Sequence, residues 1–212
     1  MFAWKLILAL ALSQSSIDYQ VAPIQYFPEG SPAISINAVE GDPKGDFAQA
    51  GRVLGARYED TLGCQITLNL NSNAFRKGHD SGRGARGLSL VRHIQDGTLH
   101  NEAQKMFFIV HEVAHCFDNV AMLTNTDDLD GYRAWKEGYA DAFAILVLKQ
   151  QGIPEAQLAT LATFREERLS GEFGKKWGAM LRDAVAADVR DKSDKNLLAI
   201  AQEIRRNVWK SS

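Results

Sequence analysis

Residues 107–118 read FFIVHEVAHCFD, and this stretch limits the possible folds more than any other. Phe107, Phe108, Ile109, Val110, Val113, Ala114 and Phe117 favour burial. His111, Glu112 and His115 resist it, because a buried polar or charged group without a partner is strongly destabilising. The fold must therefore compensate all three. His111 and His115 are four residues apart. In a helix that is about 400° of rotation, so both rings share one face, one turn apart. Two imidazoles so placed can share one metal ion. Glu112 falls about 100° round the helix, beside such a site but not in it.

A second apolar stretch carries the same anomaly. AWKEGYADAFAILVL, residues 134–148, reads as a core helix, yet Glu137 and Asp141 lie four residues apart on one of its faces. A single shared metal explains the ionisable groups of both helices. Zinc held by two histidines and one glutamate keeps a fourth position for water. Asp141 can then orient a ligand histidine by accepting its second ring proton. Gly138 costs about 1 kcal/mol in a helix interior relative to alanine. With the small Ala140, it predicts close approach of the first helix.

Here the sequence resembles the gluzincin metallopeptidases, in HEVAH followed by EGYAD. The match covers roughly residues 102–148. The resemblance implies that His111, His115 and Glu137 bind zinc, that Glu112 is the general base and that Asp141 supports a ligand histidine. It implies a zincin-like fold, with the active-site helix at the centre. It also implies that the strand at residues 64–70 borders the cleft and pairs with extended substrate. Metzincins continue as HExxHxxGxxH, but Asp118 and Ala121 stand here where the glycine and third histidine belong. Aspzincins take their third ligand from a GTxDxxYG stretch, which NTDDLDGY, residues 125–132, resembles loosely. Asp128 or Asp127 is therefore an alternative to Glu137. Glu137 is preferred because Asp141 stands where a supporting partner is needed. The activity implied is hydrolysis of a peptide or protein substrate. The alternative is a non-catalytic zinc domain built on the same site. Candidates for stabilising an oxyanion are Tyr132, Arg133, Tyr139, His79, His93 and His100.

Four of the five prolines fall before residue 44, so that region is not mainly helical. Strand-like runs occupy 33–39, 52–58 and 64–70. In the last, Cys64, Ile66, Leu68 and Leu70 alternate with Gln65, Thr67 and Asn69. Residues 71–87 read as a long loop. Helices follow over about 101–120 and 132–150. Gly152 ends the second, and Pro154 suits the first turn of a third. Two further helices are predicted near 173–190 and 193–209. A small N-terminal β-sheet region followed by a mostly helical C-terminal part is an α+β order.

MFAWKLILALALSQSS, residues 1–16, has a lysine, a short apolar run and then small residues. That is the pattern of a secretory signal peptide, here over residues 1–13, and the run is too short to span a bilayer. The other reading is an apolar element of the fold. The expectation is one zincin-like domain over 14–212, secreted or periplasmic, with no stable membrane insertion once the signal is removed. Cys64 and Cys116, the only cysteines, can pair in an exported protein or serve as two small buried hydrophobes. The formal net charge of -2 argues against a nucleic-acid partner.

Overall fold

A computed structural model describes residues 33–44, 48–54, 61–69, 71, 101–118, 129–166, 171–190, 192 and 194–210. The expected signal peptide, most of the 71–87 loop, His79, His93, His100, Asp127 and Asp128 lie outside them. Among the described residues three strands precede five helices: β1 (Ala33–Val39), β2 (Ala48–Leu54), β3 (Thr61–Asn69), α1 (Asn101–Phe117), α2 (Leu129–Gln150), α3 (Glu155–Glu166), α4 (Gly171–Ala186) and α5 (Asp194–Lys210). The architecture is α+β and mostly helical. No helix among the described residues is long and apolar enough to cross a membrane.

The sheet order is β1-β3-β2, with β1 parallel and β2 antiparallel to β3. In β3 the alternation predicted from sequence holds over 64–68: Cys64, Ile66 and Leu68 are buried, and Gln65 and Thr67 are half-buried. Asn69, expected on the polar face, is instead buried, where it accepts from the Gly41 amide and donates to the Asp42 carbonyl. The expected role of this strand in pairing with substrate does not hold. β3 is the middle strand, so its backbone donors and acceptors are already bonded on both sides. The second strand begins at Ala48, four residues before the predicted 52. Its first half, AQAG, carries little β-propensity, and only pairing with β3 makes it a strand.

α1 packs on β2 and β3 on one side and on α2 on the other. The disulfide Cys64–Cys116 fastens it to the middle strand and settles the choice left open by the sequence. Closing a loop of sequence separation 52 contributes about 4 kcal/mol on the chain-entropy account. α2 is the hub of the helical part and touches α1, α3, α4 and α5. From Tyr139 to Leu148 it is buried all round, as a helix surrounded by others must be. It starts at Leu129, a turn before the predicted 132.

The end of α2 follows the glycine rule. Gly152 has φ 87, its amide donates to the Lys149 carbonyl, and the Ile153 amide donates to the Leu148 carbonyl. These are the paired bonds of a Schellman cap. At the far side α5 is locked by Arg205, whose guanidinium donates two bonds to Asp118, at 2.8 and 2.9 Å. The same group lies over the rings of Trp135 and Tyr139, at 4.7 and 4.2 Å. α5 is thereby tied to the end of α1 and the first half of α2.

Candidate metal centre

His111 and His115 project from one face of α1, and Glu137 meets them from α2. His111 Nε2 and His115 Nε2 are 3.0 Å apart. Glu137 Oε2 lies 3.1 Å from the first and 3.5 Å from the second. These three groups can hold a metal ion, and their ligand atoms all lie within 4.8 Å of one another. Zinc bonds of about 2.0–2.1 Å at tetrahedral angles would separate ligand atoms by roughly 3.3 Å. The observed 3.0, 3.1 and 3.5 Å bracket that value. The donor set argues the same way. With the Nδ1 proton of His111 given to Asp141, its neutral ring presents a lone pair at Nε2. That lone pair faces an imidazole nitrogen and a carboxylate oxygen, so only protons or a cation can hold the three together.

Electrostatics describes the proton-filled form of the site. Burial pushes the His111 pKa down, but Asp141 and Glu137 together carry it up to about 9. Burial pushes Glu137 up, and the stronger bonds from His111 and His115 hold it far below the usual carboxylate range. A metal held by these three groups would displace the proton they share, so its uptake would release protons.

Behind His111 stands Asp141, fully buried, whose Oδ1 accepts the Nδ1 proton at 2.6 Å. Burial alone would raise its pKa. The charges of Arg165 and His111 outweigh burial and keep the carboxyl below its ordinary value. Glu112 sits beside the triangle, its Oε1 4.0 Å from His111 Nε2 and its side chain 16% exposed. That is near enough to reach a water on a metal held there, and Glu112 is not one of the three residues whose ligand atoms cluster together. His115 Nδ1 is buried and has no hydrogen-bond partner among the described residues.

The structure thus brings all five predicted site residues together: His111, Glu112, His115, Glu137 and Asp141. Asp128, the alternative third ligand, lies outside the described residues. Leu129, the next residue, starts α2 two turns before Glu137, about 12 Å along the helix axis. Tyr139 is no oxyanion donor. It points about 200° from Glu137 round the helix and lies under Arg205. Arg133 is exposed, one turn before Glu137 on its face.

Two residues that the sequence reading did not single out belong to this centre. Arg165 Nε and Trp177 Nε1 each donate to Asp141 Oδ2, both at 2.8 Å. Gly138 also works differently from expectation. A Cβ there would strike Met180 and come within 3.4 Å of Trp177 Cδ1. The glycine therefore admits α4, not α1. Comparison with protein-family models, curated proteins and solved structures finds no match to this chain.

Proposed function

We propose that this chain is an exported zinc-dependent peptidase of gluzincin type. His111, His115 and Glu137 hold the ion, Glu112 is the general base and Asp141 orients His111. The observation that carries the reading is the triangle of two Nε2 atoms and one Oε2, with tetrahedral edge lengths, the Glu112 carboxylate beside it and the Asp141 carboxylate behind it. When bound, zinc supplies Lewis acidity, which makes water a better nucleophile and polarises a carbonyl. Glu112 accepts the proton of the attacking water and returns it to the departing amine. Asp141 holds the His111 tautomer that leaves Nε2 free. The Cys64–Cys116 disulfide supports an oxidising compartment. A zincin-like fold is part of the same proposal. It is supported by a sheet packed against a helix bearing HExxH, which itself packs on a helix bearing ExxxD.

The test is hydrolysis of a peptide library by purified protein, with and without a chelator. Cleavage that stops on chelation and returns with zinc is expected. Zinc binding without cleavage of any library member would point instead to the non-catalytic zinc domain. The third ligand is tested separately. Glu137→Ala is expected to weaken zinc binding by tenfold or more, by about the cost of a lost ligand or its support, and Asp128→Ala to leave it unchanged. The reverse pattern would transfer the role to Asp128.

A further inference from the structure

Asp141 contributes no atom to the ligand triangle, yet three helices converge on its carboxylate. Oδ1 accepts from His111 on α1 at 2.6 Å. Oδ2 accepts from Arg165 on α3 and from Trp177 on α4, each at 2.8 Å. We propose that Arg165 and Trp177 are positioning residues for the metal centre. By pinning Oδ2 they set the plane of the Asp141 carboxylate, so that Oδ1 holds His111 with Nε2 aimed into the triangle. This inference rests on the metal-binding reading above.

Three observations favour a built device over a chance pair of donors. First, Arg165 is itself confined. It is 3% exposed, and its guanidinium lies 5.9, 5.8 and 5.5 Å from the ring centres of Phe107, Phe108 and Trp177. A cation boxed by three aromatic rings has little freedom to follow a turning carboxylate. Second, Gly138 and Asp141 are three residues apart on one face of α2. The missing side chain at Gly138 is the space through which Trp177 and Met180 approach that face. Third, both donors go to the oxygen that His111 does not use. One oxygen serves the ligand and the other serves the scaffold, so the carboxylate cannot rotate without breaking bonds to two helices. α3 and α4 supply no ligand, and on this account they set how tightly His111 binds.

The test is zinc affinity, measured by competition with a chromophoric chelator. Wild type, Trp177→Phe, Asp141→Asn and the double variant are compared. Phenylalanine keeps an aromatic side chain but is smaller than indole and lacks the N–H. Trp177→Phe is expected to weaken zinc by about tenfold, the low end for groups that support a ligand. The unfolding midpoint of the zinc-free protein is read on the same samples and is expected to fall by the cost of a small cavity at a side chain only 2% exposed. In the Asp141→Asn background the same change should have no further effect on affinity, because its route to the metal is already cut. The visible absorption of the Co2+-loaded protein should shift in Trp177→Phe, which a purely structural role would not cause. Should Trp177→Phe fail to fold, Arg165→Lys keeps the charge, loses the fixed guanidinium geometry and is read in the same way.

Wild-type affinity with an unshifted Co2+ spectrum in Trp177→Phe overturns the positioning role alone. So does an effect that simply adds to that of Asp141→Asn. A wild type that takes up neither zinc nor Co2+ overturns the metal-binding reading, and this inference with it.

Discussion

Glu112→Gln is expected to lower peptide hydrolysis by roughly 10²–10⁴-fold, the usual contribution of a positioned base, and to leave zinc content unchanged. The change is nearly isosteric and removes only the capacity to accept a proton at neutral pH. Glu112 lies outside the ligand triangle, with 4.0 Å between its Oε1 and His111 Nε2. The ion should therefore stay in the variant. Zinc content and turnover must be read on the same sample, because the two failures mean different things. Full turnover would remove the base from Glu112. Lost zinc would make Glu112 a ligand and displace Glu137 from the triangle.

Asp141→Ala is expected to have the largest effect on stability. The carboxylate is fully buried and accepts bonds from His111, Arg165 and Trp177. Its removal takes away the Asp141 half of a buried ion pair with Arg165, whose guanidinium is only 3% exposed. Breaking a buried ion pair on one side costs about 3–5 kcal/mol. For a chain of this size each kcal/mol lowers the melting temperature by about 2–4 °C. Zinc affinity should fall by about 10–100-fold as His111 loses its support. The double change Asp141→Leu with Arg165→Met separates the two effects. Removing both charges is often neutral or better for folding, so stability should largely return while zinc affinity stays low. A single Asp141→Ala variant within about 1 kcal/mol of wild type would contradict the buried pair as described, since that is the scale of an ordinary surface change. Denaturant unfolding of zinc-free protein measures it.

The candidate ligand set was legible because it is local. His111 with His115, and Glu137 with Asp141, each share a face through the 3.6-residue period alone, and apolar neighbours mark both faces as buried. Only their meeting is tertiary, and two anomalous core helices with complementary groups leave few other arrangements. The cap at Gly152 and the alternation in β3 were legible for the same reason. What escaped is non-local. Nothing within residues 61–69 says that β3 inserts between β1 and β2, because strand order is decided by pairing between segments far apart in sequence. Arg165 reads as one more charge in LATFREERL, and Trp177 as one more apolar residue on an amphipathic helix. Only the packing of α3 and α4 on α2 turns them toward Asp141. Gly138 signalled a close approach but could not say by which helix.

The central claim is that His111, His115 and Glu137 bind one metal ion. The measurement that tests it most directly is metal content by mass spectrometry of purified protein, wild type beside His115→Ala. The account predicts about one zinc per chain in the wild type, as for a three-ligand site with an open position, and little or none in the variant. A well-folded wild type that carries no zinc and takes up none when it is added would contradict it.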